Sequence, residues 1–170
     1  MDSLPNVLLF DEKQTLRFFF EKLKDMPFSG TTVDELLYVS SVLAHFAITS
    51  RTSTGRFFSP VCLTDFFNLF VMDTNGTKDA EIMELAGAQS LFLVGFLRDQ
   101  MANRHNVLWY QKMGSDFYRM ASEATSPEYP KKRKVMMLMS RTFPAWAFTC
   151  HRLSRTFREE QKDMRLIRQN

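Results

Sequence analysis

Apolar positions recur with a helical period along nearly the whole chain. Leu16, Phe19, Phe20 and Leu23 stand at i, i+3, i+4 and i+7, one apolar stripe of a first helix. Asp11 is placed to cap it, and Pro27 to Gly30 end it. Thr32 followed by Glu35 has capping-box spacing and opens a second helix. From Val33 to Ile48 that helix is apolar on almost every side, which predicts a buried, central position and makes His45 a core histidine. Residues 49–60 read as a loop, and Thr64-Asp65 starts a short helix through Phe66, Phe67, Phe70 and Val71. The turn Asp73-Thr74-Asn75-Gly76 stops it.

A longer helix is predicted from Thr77 to about Ala102, with Gly87 and Gly95 inside it. Each glycine costs about 1 kcal/mol relative to Ala, so close approach of a neighbouring helix is expected. Tyr110, Met113, Gly114, Phe117, Met120, Ala121 and Ala124 then share one face of a helix over 107–124. Gly114 lies within that face, and the region around Gly95 is its expected partner. Ser126-Pro127-Glu128 reads as a cap, a first-turn proline and a first-turn acid of a helix running to about Arg141. Pro144 breaks or kinks it, and a last helix runs over 145–168. Val7 to Phe10 is the single run with extended character.

The expected fold is therefore all-α: an irregular or orthogonal bundle of about seven helices, one domain over residues 1–170. Helix 33–48 is central, packed by 78–101 and 107–124, with 145–168 outside as an amphipathic cover. With 170 residues, one core holds such a chain without disulfides or metals. The 17 Phe and 11 Met imply a core of large, adaptable side chains, and six Gly and six Pro are too few for a sandwich or barrel.

Cys62 and Cys150 read as two free thiols in a reducing compartment. The opening residues Met1 to Pro5 lack the basic and apolar regions of a signal peptide. The longest apolar stretch, Leu91 to Leu97, is far short of the roughly twenty residues of a membrane span. The expectation is a cytoplasmic protein with no membrane span. The net charge of +3 hides an asymmetry. Residues 1–85 hold 7 Lys+Arg against 12 Asp+Glu, net −5, and residues 86–170 hold 15 against 7, net +8. Such a split fits an anionic partner, head-to-tail packing of two copies, or attraction between the halves of one fold.

Candidate chemistry is sparse. His45, His105 and His151 are far apart, and none has a metal-ligand partner one helical turn away. Metalloprotease, dithiol, nucleophile-elbow, dinucleotide and P-loop motifs are absent from the sequence. Asp73, Asn75, Thr77, Asp79, Glu81 and Glu84 take the ligand positions of a calcium loop, but Lys78 stands where the sharp turn needs Gly. Acids of a first helical turn explain them better. Residues Ser50 to Arg56 have the hydroxyls and arginines of a phosphate loop but read as a polar connector. No catalytic, cofactor-binding or metal-binding residue is assigned, and no cofactor is expected.

Two basic features remain. Pro130-Lys131-Lys132-Arg133-Lys134-Val135 resembles a monopartite nuclear localisation signal, although a solvated helix surface accounts for it better. In the last helix His151, Arg155, Arg158, Lys162 and Arg165 are spaced 4, 3, 4 and 3, which puts them on one face. Lys131, Lys132, Arg133, Lys134, Arg155, Arg158, Lys162 and Arg165 are thus the candidate anion- or partner-binding residues.

The run Gly87-Ala88-Gln89-Ser90-Leu91-Phe92-Leu93-Val94-Gly95-Phe96, with Arg104, Trp109 to Gly114 and Tyr118, resembles a family of uncharacterised bacterial helical proteins. The likeness covers roughly residues 87–118 and departs from the family pattern at Ala88, Asn103-Arg104 and Trp109-Tyr110. It implies an all-helical fold and a bacterial source, and brings no activity with it.

These observations favour a non-enzymatic helical interaction module that associates with itself, as a homodimer, or with another protein. One alternative is a nucleic-acid or acidic-partner binder using the basic C-terminal helix. Another is a small-ligand or enzymatic site in the core, lined by His45, Trp109 and Tyr110.

Overall fold

A computed structural model describes residues 12–26, 28–52, 79–103 and 105–168. They form α1 (Glu12–Lys24), α2 (Val33–Thr52), α3 (Ala80–Leu91), a π-helical turn (Phe92–Phe96), α4 (Arg98–Ala102), α5 (Val107–Ala124) and α6 (Pro130–Arg168). The described residues contain six α-helices and no strand, so the fold is all-α. The helix expected near 64–71, the extended run at 7–10, the Asp11 cap and the Asp73–Gly76 turn lie outside the described residues. Residues 49–52, expected as the start of a loop, are helical, because α2 continues to Thr52; residues 53–60 of that expected loop lie outside the described residues.

Local signals place most helix ends. Thr32 and Glu35 form the capping box: the Thr32 hydroxyl accepts from the Glu35 N–H at 3.2 Å, and Glu35 Oε2 accepts from the Thr32 N–H at 3.0 Å. Asp79 caps α3, its Oδ1 accepting from the N–H groups of Glu81 and Ile82, while Thr77, the expected start of this helix, lies outside the described residues. Asn106 caps α5 through Trp109 N–H. Gly30, at φ 84, turns the chain between α1 and α2 in a region that side chains rarely adopt.

Ser126-Pro127-Glu128 is not a helix cap. Tyr129 N–H donates to the Ser126 carbonyl at 3.0 Å and closes a turn there. The second proline, Pro130, is the first helical residue, where its missing N–H costs nothing.

The centre of the bundle is not 33–48. Every residue from Ala86 to Phe96 is buried, between α5 and α6. Helix α2 buries Val39, Val42, Leu43, Phe46 and Ala47, but leaves Val33, Leu37, Ser41 and His45 exposed at four-residue spacing. His45 is therefore a surface residue. Its apolar flanks face the core while its own position falls on the one stripe of α2 turned to solvent.

Aromatic rings tie the elements together. Phe46 stacks on Phe92 at 4.9 Å between ring centres, Phe92 on Phe96 at 5.5 Å, and Phe96 meets Phe157 edge-on at 6.0 Å. Phe157 reaches Phe18 and Phe19 of α1. In the π turn, Leu97 N–H donates to the Phe92 carbonyl at 3.0 Å, the five-residue spacing of that geometry.

Small residues admit the neighbours, in a pairing different from the one expected. A Cβ on Gly114 would lie 2.3 Å from Phe143 of α6 and 2.7 Å from Ser90 of α3. A Cβ on Gly95 would lie 2.8 Å from Cys150 Cβ and 3.2 Å from the Ala147 carbonyl. Both are close approaches, but Gly114 does not face Gly95.

Pro144 does not end a helix. Helix α6 runs unbroken for 39 residues, about 58 Å, through it. The carbonyl that Pro144 leaves without a helix N–H, that of Ser140, accepts from the Ser115 hydroxyl of α5. The segment expected as an outer cover begins in the core: Trp146, Ala147, Cys150, Leu153 and Phe157 are buried.

Candidate functional site

The first turn of α6 carries Lys131, Lys132, Arg133 and Lys134, cations at the helix end where the dipole disfavours them. Neighbours offset this. Lys131 pairs with Asp34 of α2 at 3.4 Å, and Lys132 with Glu84 of α3 at 2.7 Å. Arg133 Nε donates to the Ser122 carbonyl at 3.3 Å, and the Ser122 hydroxyl donates to the Arg133 carbonyl at 2.9 Å. Lys134 is exposed, with no carboxylate of the described residues within ion-pair distance. Part of the charge asymmetry thus resolves within the fold: acids of the first half hold bases of the second.

Between these pairs lies a cleft of about 610 Å³, walled by Leu37 and Tyr38, by Tyr129 and Pro130, and by Val135 and Met136. Its rim holds Asp34, Glu84, Glu128, Lys131 and Lys132. Leu37 is 46% exposed and Tyr129 61% exposed. Val33, one turn before Leu37, is 67% exposed. A hollow of about 200 Å³ adjoins it, sharing Tyr38 and Glu84 and adding Ser41, His45, Glu81 and Leu85. Burial, then the neighbouring Tyr118 and Glu84, push the Tyr38 phenol well above its ordinary range. It is a neutral hydroxyl at physiological pH. Beneath it lies the buried Tyr118, its ring meeting that of Tyr38 edge-on at 5.8 Å between centres.

The second basic group divides differently from its spacing. Asp99 of α4 accepts from His151 Nε2 at 2.9 Å and pairs with Arg158 Nη2 at 2.5 Å. Arg158 also donates to the Ser154 hydroxyl at 3.1 Å. Partial burial raises the Asp99 carboxyl, but the His151 and Arg158 contacts outweigh it and hold the group below its ordinary value. Arg155, Lys162 and Arg165 are exposed, with no carboxylate of the described residues at ion-pair distance. Lys131 and Arg155 are 24 positions apart on one continuous helix, about 36 Å, so the two basic groups do not converge on one site.

No three His, Cys, Asp or Glu among the described residues group to hold a metal ion. Of the calcium-loop positions, Asp79 caps α3 and Glu84 pairs with Lys132, while Asp73, Asn75 and Thr77 lie outside the described residues. Cys150 is buried, which pushes its thiol up to about 12 and leaves it unreactive near neutrality. Trp109 and Tyr110 contact each other at 4.9 Å, whereas His45 lines the hollow beside α3, so the three do not share one of the described cavities. Residues 53–56 of the hydroxyl-rich loop, like Cys62, are outside the described residues.

A buried carboxylate escaped the sequence reading. Glu35 is 0% exposed. Its Oε1 accepts from Thr142 at 2.6 Å and from Trp146 Nε1 at 3.3 Å, both on α6. Its capping-box spacing announced only the local half of this role.

No described helix is long and apolar enough to cross a membrane. The chain matches no protein-family model, no curated protein and no solved structure.

Proposed function

We propose that the chain is a helical interaction module without chemistry of its own, and that the cleft between α2, α3 and the start of α6 receives a partner. A second copy of this chain is the partner we put first. The observation behind this reading is the convergence of Leu37 and Tyr129, both exposed, on one apolar cleft with a charged rim. An apolar centre within a polar rim is the usual anatomy of a protein interface. Val33 and Leu85 extend the exposed apolar area beside it. The ion pairs Lys131–Asp34 and Lys132–Glu84 hold the rim in place.

The test is solution mass by light scattering, at low salt and near 1 M salt. A dimer that survives high salt, and that Leu37→Asp converts to monomer without loss of helicity, supports the reading. A monomer under both conditions removes self-association. A dimer indifferent to Leu37→Asp and Tyr129→Ala places the interface elsewhere.

A further inference from the structure

From Tyr129 to Arg158 the sequence contains no acid, yet it holds Lys131, Lys132, Arg133, Lys134, Arg141, His151, Arg152, Arg155 and Arg158. The structure sorts these nine. Lys131, Lys132, His151 and Arg158 are held by carboxylates, and Arg133 by a carbonyl. Lys134, Arg141, Arg152 and Arg155 are exposed, with no carboxylate of the described residues at ion-pair distance. With Phe148, 57% exposed, these four occupy positions 134, 141, 148, 152 and 155. Intervals of 7, 7, 4 and 3 keep all five on one solvent-facing stripe. It spans about 31 Å, on the side of α6 away from the cleft. The stripe is also rotated from the His151–Arg165 face that the spacing alone favours, because Asp99 claims His151 and Arg158.

We propose that this stripe binds a single-stranded nucleic acid, the four cations meeting phosphates and Phe148 stacking on a base. Charge complementarity calls for a polyanion: over positions 134–155 the stripe carries cations and no acid on one helix, the first acid on the same face being the exposed Glu159 one turn further on. The aromatic ring between Arg141 and Arg152 selects among polyanions. An unpaired strand presents base faces for it to stack on, which a closed duplex does not. An anionic membrane fits less well, since an interfacial helix needs a wide apolar face and here one Phe stands among cations. This surface is separate from the cleft, so either proposal can fail alone.

The experiment is fluorescence anisotropy of labelled oligothymidine and oligouridine of roughly twenty nucleotides, titrated with the full chain from ~50 mM salt upward. Four phosphate contacts predict a slope of log affinity against log salt of about −3. Arg152→Gln with Arg155→Gln should bring it to about −1.4. Phe148→Ala should weaken binding about tenfold with the slope unchanged. Lys131→Gln with Lys132→Gln, which touches the rim pairs instead, should leave affinity within about twofold. All these side chains are exposed, and circular dichroism verifies that each variant folds. Absence of binding at low salt overturns the proposal. So does a preference for duplex, or binding to phosphatidylserine vesicles without binding to the oligonucleotides.

Discussion

The Ser115 hydroxyl of α5 donates to the Ser140 carbonyl of α6, the acceptor that Pro144, four residues on, leaves without a helix N–H. Interior proline normally costs a helix about 3 kcal/mol, through the lost hydrogen bond and a ring clash. Here the neighbouring helix supplies the missing donor, and α6 continues. Ser115→Ala should therefore destabilise the protein by about 1 kcal/mol, leaving that carbonyl partly unsatisfied. In a Pro144→Ala background the helix supplies its own N–H, and the cost of Ser115→Ala should fall to a few tenths. Denaturant unfolding of the four proteins in this cycle measures the coupling. Equal costs in both backgrounds would show that the hydroxyl does not answer for the proline.

Gly95 and Gly114 sit inside helical segments, where Gly→Ala ordinarily stabilises by up to about 1 kcal/mol. Both should show the opposite sign. The new methyl at 95 meets Cys150 Cβ at 2.8 Å and backbone at 3.2 Å, and at 114 it meets the Phe143 ring at 2.3 Å. Overpacking of this kind costs typically 1–3 kcal/mol. Gly114→Leu should be worse than Gly114→Ala. Thermal melts decide it, and a rise in melting temperature in either alanine variant would refute the close packing.

Glu35 carries a sharper prediction. Its Oε2 accepts the Thr32 N–H and its Oε1 the Trp146 Nε1–H, two donors that cannot turn round. A glutamine can satisfy only one of them, whichever way its amide is flipped. Glu35→Gln should thus cost nearly as much as Glu35→Ala, on the order of 2 kcal/mol or more, despite keeping the shape. Unfolding followed by tryptophan fluorescence checks this. A neutral Glu35→Gln would mean that the Trp146 contact contributes nothing.

What was legible beforehand follows the range of each interaction. The stripe Leu16, Phe19, Leu23 and the Thr32–Glu35 box are settled within one or two turns of chain, and the structure repeats them. The face Tyr110, Met113, Gly114, Phe117 and Ala121 is buried as its period requires. Misreadings arise where a distant residue intervenes. Pro144 obeys its local rule until Ser115 is brought beside it. His151 and Arg158 share a face with Arg155 until Asp99, about fifty positions earlier, draws them aside. His45 sits in an apolar run, but which stripe of α2 faces solvent depends on where α1 and α6 pack. Of the candidate site, the cations were legible as residues; their partners and Phe148's exposure were not.

The Asp99 cluster gives the protein a measurable acid dependence. Its carboxyl lies below the ordinary value when folded, because His151 and Arg158 outweigh partial burial. A group whose folded pKa is depressed contributes stability above its unfolded value, near 3.9, and loses it as pH falls through the lower folded one. At pH 7 Asp99→Asn should therefore melt lower than the wild type. The loss should be modest, under about 1 kcal/mol, since this carboxylate is half-exposed and screened. Between pH 4 and the acid limb the two melting curves should converge, because the wild-type carboxylate becomes protonated and loses its ion pair. Arg158→Gln should show the same convergence, as it removes the other member of that pair. A gap that stays constant down to pH 3 would mean that Asp99 acts through hydrogen bonds its neutral form also makes, and that the charge on this face of α6 is not balanced by α4.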